Sequence, residues 1–434
     1  MNKIKQEYLN TWQSAYKKLN QKQREAVDTI DGPVMVIAGP GTGKTQLLAV
    51  RIGNILLNTD VFPHNILCLT YTEAGATAMR ERLTSFIGPD AYNVNFFTFH
   101  AFCNSVISEN PQYFGDFKAL QLVSDIELVE ILRTVFDNLA DEHPLKKLKG
   151  NEYNELNKLK QLFTIMKQEE WTSAYIHSKY EEYKEFVLDP ERSNCIWRVN
   201  RDGFKKGDIN PRLVNEALSK YTKLLGASEE LQSFKKIMTE RERYDYQDMI
   251  LWVIEKFQQH DELLAKYQER YQYILVDEYQ DTNGSQNNLL FLLSDFWEKP
   301  NLFIVGDDDQ SIFRFQGANM NSIMEFKDKY QPKEIVLTEN YRSSQVILDS
   351  ASKLIENNLD RLSHKYPDLD KNLTEHRSVK PEFSPEPQFL AYQNFVQEEA
   401  GIIEKIISLN NQGVAWKDIA IIYSKHRVVE DMVK

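Results

Sequence analysis

Short apolar runs alternate with segments of helical periodicity along the first hundred residues. Val34–Ala38, Ile66–Thr70 and Asn93–Phe97 are runs of this kind, and helical patterns occupy Lys44–Leu57 and Thr77–Phe86. Strands that are buried on both faces lose the alternation of apolar and polar residues, so such runs are typical of a parallel sheet. The repeated order of strand, loop and helix therefore predicts an α/β fold with a parallel sheet.

The character of the chain changes after about residue 109. Residues 109–240 are rich in Leu, Lys, Glu and Tyr and contain few strand-like runs, which predicts a helical insertion. Near the C-terminus, apolar residues on one face of Glu398–Leu409 predict an amphipathic helix. Further strands are predicted at Tyr273–Val276, Leu302–Val305, Ile335–Leu337, Phe389–Tyr392 and Ile419–Tyr423.

The composition is that of a globular protein. The 434 residues are 42% hydrophobic and 27% charged, which excludes collagen-like, disordered and disulfide-scaffold chains. No apolar run approaches the roughly 20 residues of a membrane span, and the polar first ten residues have no signal-peptide core. Cys68, Cys103 and Cys195 are widely spaced and form no CxxC pair, so we expect a reducing, cytoplasmic environment and no membrane partner.

The net charge of −12 argues against a protein whose whole surface wraps nucleic acid. The charge is uneven, however, because residues 1–100 carry 10 Lys and Arg against 8 Asp and Glu, a net of +2. Any electropositive groove must therefore be local.

A glycine-rich loop lies between the first predicted strand and its helix. Its glycines let backbone N–H groups converge on phosphate oxygens, and the helix N-terminus adds a positive dipole. In this pattern Lys44 would reach the β- and γ-phosphates and Thr45 would bind Mg²⁺. A plain turn with a surface lysine is the alternative, which the flanking strand and helix disfavour. The loop reads Ala38, Gly39, Pro40, Gly41, Thr42, Gly43, Lys44, Thr45, with alanine where glycine is usual.

Two later strands also end in polar groups. Asp277 and Glu278 follow Tyr273–Val276, and a cluster ending at Gln310 follows Leu302–Val305. Ligands of open α/β sheets bind at the carboxyl ends of strands. We therefore expect Asp277 to hold Mg²⁺, Glu278 to polarise the attacking water and Gln310 to sense the γ-phosphate. Taken singly, each would be an ordinary exposed residue at a strand end.

Eight segments resemble, in order, the motifs of the UvrD/Rep-type branch of the superfamily 1 DNA helicases. The segment at residues 305–318 is nearly diagnostic by itself. The resemblance implies ATP and Mg²⁺ as ligands. The segments are 19–23 (the adenine-reading Q motif), 38–45, 69–82, 98–102, 245–250, 276–283, 305–318 and 340–343.

The resemblance also implies the domain organisation. The fold would be a RecA-like P-loop NTPase sheet with a helical insertion and the beginning of a second RecA-like domain. We expect the first RecA-like domain at residues 1–108 and 241–330, the insertion at 109–240 and the partial second domain at 331–434.

The resemblance further assigns nucleotide contacts. Gln23 would hydrogen-bond adenine and Tyr341 would stack on it. Arg342 would reach the γ-phosphate from the second RecA-like domain as an arginine finger. Gln46 occupies the position where the family usually has an arginine that stacks on adenine, so we expect weaker nucleotide selectivity or affinity.

A single-stranded DNA track is implied as well. Stacking on aromatic side chains suits such a track because every base has a π-face, at about 1–3 kcal/mol per base. Core packing is the alternative for Phe99 and Phe313, and Phe315 replaces a tryptophan that is frequent in the family. The implied residues are Tyr71, Thr98, Phe99, His100, Phe313 and Phe315.

The family's motifs V and VI have no counterpart in this sequence. We therefore expect the chain to be the N-terminal part of a longer ATP-dependent 3′–5′ helicase or translocase that acts on single-stranded DNA and on single-strand/duplex junctions in repair or replication. As it stands, it should bind nucleotide but unwind poorly. An ATP-switched DNA- or partner-binding module without unwinding activity is the alternative. A P-loop kinase or GTPase is disfavoured, since the sequence has no suitably placed guanine-reading motif.

Overall fold

Six parallel strands form the central sheet of the computed structural model. Their order is β3-β2-β6-β7-β1-β8, while β4 pairs with β5 and β9 with β10 in two-residue parallel ladders. The α/β prediction is therefore confirmed. The strands are β1 Val34–Ala38, β2 Ile66–Thr70, β3 Asn95–Thr98, β4 Gln121–Leu122, β5 Arg243–Tyr244, β6 Tyr273–Val276, β7 Leu302–Gly306, β8 Lys333–Leu337, β9 Glu339–Asn340 and β10 Thr374–Glu375.

The structure describes residues 6–117, 119–146, 152–200, 203–311, 320–358, 361–366, 369–377 and 386–423. None of the helices within these ranges is long and apolar enough to cross a membrane. The helices are α1 Gln6–Lys17, α2 Gln21–Asp28, α3 Lys44–Asn58, α4 Glu73–Ile87, α5 Phe99–Glu109, α6 Asp125–Asp137, α7 Glu152–Gln168, α8 Ser173–Leu188, α9 Pro211–Glu229, α10 Leu231–Glu240, α11 Tyr246–Gln259, α12 Asp261–Arg270, α13 Gly284–Ser294, α14 Met320–Tyr330, α15 Gln345–Ile355, α16 Leu362–Lys365 and α17 Phe395–Asn411.

The central strands are buried on both faces, which explains their unbroken apolar sequences. In β1, Val34, Val36 and Ala38 pack into one apolar layer with α2, α3 and α4. Met35 and Ile37 point the other way, into a second layer with α5, α11, α12 and α13. Because successive side chains of a strand alternate between faces, one short apolar segment serves two cores.

The strand order sets the position of the chemistry. β7 lies between β1 and β6 and pairs in parallel with both. The loops that follow these three strands therefore emerge side by side at one edge of the sheet. This edge is where ligands bind in open α/β sheets.

The three strands predicted after residue 330 have different outcomes in the structure. The apolar run Ile335–Leu337, expected to open the second domain, lies in β8, which pairs along its whole length with β1 in the first sheet. The strands predicted at Phe389–Tyr392 and Ile419–Tyr423 are wrong, because neither segment pairs with a partner strand there. The predicted helix at Glu398–Leu409 is confirmed as α17.

The chain forms two units. The first comprises Met1–Ser343 and Ile355–Ser378, and the second comprises Ser344–Leu354 and Val379–Lys434. Within the described residues of the second unit, the regular structure consists of α15, α17 and a single 3-10 turn at Trp416–Asp418.

The segment predicted as a helical insertion contains α6 to α10 around its own apolar core. A buried ion pair joins this core to the sheet region. Lys167 of α7 lies 2.8 Å from Asp245 and 2.7 Å from Asp248, and its side chain is 1% exposed. Asp245 also caps the N-terminus of α11 with its side chain. The lysine thus ties the insertion to the helix that supports the second apolar layer.

A buried arginine anchors α2, the helix that carries Gln23. The Arg51 guanidinium donates to the carbonyl oxygens of Ala26 and Thr29 at 2.6 Å and of Ile30 at 3.1 Å. Burial lowers the pKa of Arg51 to about 9, so the side chain remains charged at neutral pH. A cation at a helix C-terminus is favoured by the helix dipole.

Replacing this guanidinium should destabilise the first unit. Arg51→Met leaves three carbonyl oxygens without their donor, and we expect the free energy of unfolding to fall by about 3 kcal/mol. Urea denaturation followed by circular dichroism measures the change. Arg24→Met is the matched control, since exposed Arg24 makes one bond to the Lys17 carbonyl. Equal unfolding free energies for the two variants would contradict the anchoring role.

Candidate nucleotide-binding site

The glycine-rich loop connects β1 directly to α3. Gly41 and Gly43 have φ values of +71° and +85°, a region that favours glycine. The Thr42 hydroxyl donates to the Gly39 carbonyl at 2.7 Å and closes the turn. Gly43 is the N-cap of α3 and offers no side-chain acceptor. The first N–H groups of the helix are thus available to an anion, as in phosphate-binding loops.

Lys44 and Glu278 connect this loop to the acids that follow β6. The Lys44 Nζ lies 2.7 Å from the Glu278 Oε2, with side-chain exposures of 11% and 35%. Glu278 has a φ of +48°, an uncommon conformation for a residue with a side chain. Backbone strain of this kind concentrates at functional sites, because the surrounding structure must hold it in place.

Gln280 extends the connection to the loop that follows β7. Its Nε2 donates to the Glu278 Oε2 at 2.9 Å, and its Oε1 accepts from the Asp307 N–H at 2.9 Å. The Gln310 Nε2 donates to the Asp307 Oδ2 at 2.7 Å. A continuous set of polar contacts therefore runs from Lys44 through the acids after β6 to Gln310. Gln280 is buried, so water does not compete for these bonds.

Two further carboxyl groups are perturbed here. Burial, followed by the nearby charge of Glu278, raises the pKa of Asp277 to about 6. Asp281 has a pKa of about 6 for the same two reasons. The Asp277 Oδ1 accepts the Glu278 N–H at 3.0 Å. Carboxyl groups with a raised pKa are typical of sites that bind a cation or a proton.

Lys44, Glu278 and Gln310 line one cavity of about 430 Å³. Arg82 of α4 also reaches it, donating to the Gln46 Oε1 at 2.7 Å. Sequence analysis gave Arg82 no role, although it lies within a recognised motif. The cavity is lined by Pro40, Gly41, Gly43, Lys44, Thr45, Gln46, Ala78, Arg82, Glu278, Gln310 and Arg342.

Gln23 and Tyr341 lie beside the loop. Asn20 and Gln23 form a reciprocal capping box at the start of α2, and the Gln23 Nε2 donates to the Thr42 carbonyl at 2.9 Å. The Tyr341 hydroxyl accepts from the Asn20 Nδ2 at 2.9 Å, and its ring is partly exposed. The two residues predicted to contact adenine are thus joined through Asn20.

Arg342 reaches the cavity by a route that the sequence did not indicate. We expected it to come from a second domain across a cleft. Instead, the segment that carries it belongs to the same unit as the loop. Fully buried Asn340 donates to the Pro40 carbonyl and accepts from the Arg342 N–H at 2.8 Å, and the Tyr341 N–H donates to the Gly41 carbonyl. Backbone contacts thus fix Arg342 against the loop.

The residues predicted to contact DNA lie in different surroundings. Tyr71 is exposed just after β2, whereas Phe99 is buried at 4% exposure in the second apolar layer, as the core-packing alternative anticipated. Thr98 caps α5 by accepting the Ala101 N–H. His100 packs edge-on against Tyr246, and burial lowers its pKa, opposed by the charge of Asp245. Phe313 and Phe315 lie outside the described residues.

Comparison with known proteins identifies the family of this chain. Residues 19–331 match the UvrD/REP helicase N-terminal domain, and residues 335–433 match the UvrD-like helicase C-terminal domain. The chain belongs to the UvrD/REP helicase family.

Several curated relatives of this UvrD/REP member are named ATP-dependent DNA helicase PcrA. The Staphylococcus aureus protein is 28% identical over 418 residues, which cover 95% of this chain and 49% of the relative. The Staphylococcus epidermidis protein is 29% identical over 96% of this chain and 49% of its own length. The Leuconostoc citreum protein is 32% identical over 80% and 40%. The chain spans about half the length, or less, of these relatives.

The pKa of Asp277 predicts a pH-dependent stability effect. The folded pKa near 6 lies above the unfolded value of about 3.9, so the ionised side chain destabilises the folded state at neutral pH. Asp277→Asn should therefore raise the free energy of unfolding by about 2–3 kcal/mol at pH 7.5, and by about half as much at pH 5. Urea denaturation with EDTA and without nucleotide measures both values.

Exposed Asp60 supplies the control for this experiment, because Asp60→Asn removes a solvated charge outside the site. It should change the unfolding free energy by less than about 0.5 kcal/mol at either pH. A gain from Asp277→Asn that stays constant between pH 5 and pH 7.5 would show that Asp277 ionises normally.

Proposed function

We propose that this chain is the ATP-hydrolysing, single-stranded-DNA-binding part of a helicase or translocase. One observation supports this function most strongly. The loops after β1, β6 and β7 bring Lys44, Glu278 and Gln310 to a single cavity, together with Arg342. These are the components that phosphoryl transfer from a nucleoside triphosphate requires: a phosphate cradle, a residue that orients water, a γ-phosphate sensor and an arginine.

The cavity fits ATP by size and charge. Its volume of about 430 Å³ is within the range of small-molecule sites. Lys44, Arg82 and Arg342 line it and would offset the negative charge of a triphosphate. Gln23 and Tyr341 flank the loop and are suited to the base. Because Gln46 already accepts from Arg82, we propose that Arg82 supplies the cation that position 46 lacks.

Thr45 and Asp277 are suited to Mg²⁺. A hydroxyl and a carboxylate are the hard oxygen ligands that this ion prefers, and Mg²⁺ usually keeps several waters and binds phosphates as well. The part of the chain that the structure describes has no cluster of three or more His, Cys, Asp or Glu side chains that could hold a metal. This fits an ion bound mainly through the nucleotide. When bound, it would neutralise charge on the β- and γ-phosphates.

The observed contacts suggest an order of events. Phosphate oxygens would replace Glu278 as the partner of Lys44, which frees the Glu278 carboxylate to orient and deprotonate water. Gln280 would keep hold of the Glu278 Oε2 and prevent the side chain from turning away. Gln310 and Arg342 would stabilise the charge that develops on the transferred phosphoryl group.

Single-stranded DNA is the second proposed ligand. Tyr71 follows β2 and Thr98 is the last residue of β3, so both lie at the same edge of the sheet as the nucleotide cavity. An exposed tyrosine at this edge can stack on a base. The names of the PcrA relatives support DNA as the substrate. By family resemblance we propose 3′–5′ movement, single-strand/duplex junctions as the sites of action, and a role in repair or replication.

Steady-state ATP hydrolysis tests this proposal. We expect single-stranded DNA to raise kcat of the 434-residue chain. Lys44→Ala and Glu278→Gln should each lower kcat by about 100-fold or more, since they remove a phosphate contact and the residue that activates water. Lys160→Met is the control, because the Lys160 side chain forms an ion pair with exposed Asp125 in the insertion, outside the cavity, and this variant should behave like the unmodified chain.

Two results would contradict the proposal. The first is hydrolysis that persists in Glu278→Gln, since another group would then activate water. The second is nucleotide binding without any hydrolysis, with or without DNA. That result would favour an ATP-switched binding module over a motor.

A further inference from the structure

Three consecutive aspartates, Asp307, Asp308 and Asp309, follow β7. Asp307 and Asp308 are buried, with 1% and 5% of their surface exposed. Buried carboxylates in direct sequence repel one another and lose hydration, so they require cationic partners. Gln310, the candidate γ-phosphate sensor, is the next residue. The partners of these acids therefore bear directly on the sensor.

Two cations from a distant part of the chain supply this compensation. The Lys371 Nζ lies 3.0 Å from the Asp307 Oδ1 and 2.9 Å from the Asp309 Oδ2, and it also hydrogen-bonds the Asp308 Oδ1. Arg361 binds both carboxylate oxygens of Asp309, at 2.8 and 2.9 Å. Lys371 is 6% exposed, so its contacts with the three acids are shielded from solvent.

The contacts of Lys371 and Arg361 differ in one respect. Asp307 binds Lys371 through Oδ1, while its Oδ2 accepts the Gln310 Nε2 at 2.7 Å. Lys371 is thus separated from the Gln310 amide by a single carboxylate. Arg361 contacts Asp309, whose side chain makes no hydrogen bond to Gln310 within the described part of the chain. Lys371 is therefore connected to the Gln310 side chain through Asp307, whereas Arg361 contacts Asp309 in the preceding turn.

We propose that Lys371 is a positioning residue for Gln310, acting through the Asp307 carboxylate. With Nζ on one oxygen, the carboxylate is fixed, and its other oxygen directs the Gln310 amide to the edge of the cavity. Without Nζ, Asp307 is a buried charge with fewer partners, and the orientation of Gln310 is lost. This inference rests on the proposed function, because it assigns a supporting residue to the same site.

A double-mutant cycle on ATP hydrolysis tests the proposal. Lys371→Met and Gln310→Ala should each lower kcat by about 10- to 100-fold, while KM for ATP changes by less than about threefold. The double variant should be no slower than the slower single variant, because both substitutions remove the same interaction of a correctly oriented Gln310 amide with the nucleotide. Multiplicative effects, or an unchanged kcat in Lys371→Met, would overturn the proposal.

Two comparison variants separate positioning from folding. Arg361→Met removes a neighbouring cation but no contact to Asp307, so its effect on kcat should be additive with that of Gln310→Ala. Lys160→Met removes an exposed lysine in the insertion and should leave kcat unchanged. If Arg361→Met and Lys371→Met both combine additively with Gln310→Ala, Lys371 is merely structural and the proposal fails.

Hydrogen exchange of the full chain gives a readout that does not depend on activity. The Asp309 N–H donates to the Asp307 side chain, and the Gln310 N–H donates to the Asp307 carbonyl. Lys371→Met should speed exchange of these two amides by about fivefold or more, without changing residues 38–46. If the unmodified chain hydrolyses no ATP, the proposed function fails, but unchanged exchange alone would still overturn the role of Lys371.

Discussion

The ion pair between Lys44 and Glu278 is the contact on which the site depends. It joins the loop after β1 to the acids after β6, and β7 lies between those two strands. Lys44 and Glu278 can approach to 2.7 Å although β7 separates β1 from β6, because all three strands are parallel and end at one edge of the sheet. Gln280 then connects Glu278 to the loop that follows β7. The three loops therefore behave as one hydrogen-bonded unit.

The same site concentrates conformations and charges that destabilise the fold. Glu278 has a positive φ, and burial raises the pKa of Asp277 and Asp281 to about 6. Each feature opposes folding in the absence of ligand, since burial disfavours an ionised acid and L-residues avoid this backbone region. A cation and a triphosphate would relieve the carboxylate repulsion. Ligand binding and folding stability are thus expected to be coupled at this edge of the sheet.

Sequence reasoning succeeded where local chemistry decides the structure. Doubly buried strands such as Val34–Ala38, and glycines that must adopt positive φ, are local signals, so β1, its loop and α3 could be predicted. It failed where the structure depends on contacts between residues that are far apart in the chain. The apolar run Ile335–Leu337 does not indicate which sheet it joins, and apolar residues at Phe389–Tyr392 do not guarantee a strand. Contacts such as that of Lys371 with Asp307 join residues far apart in the chain, and no spacing rule reveals them.

The most direct test of this account is the affinity of the chain for a non-hydrolysable ATP analogue with Mg²⁺, measured by calorimetry for the unmodified chain and Glu278→Gln. If Lys44 must leave Glu278 before it can bind phosphate, the neutral glutamine should raise affinity about fivefold, because breaking a partly exposed ion pair costs about 1 kcal/mol. Equal or weaker binding by Glu278→Gln would mean that the ion pair does not hold the phosphate loop before the nucleotide binds.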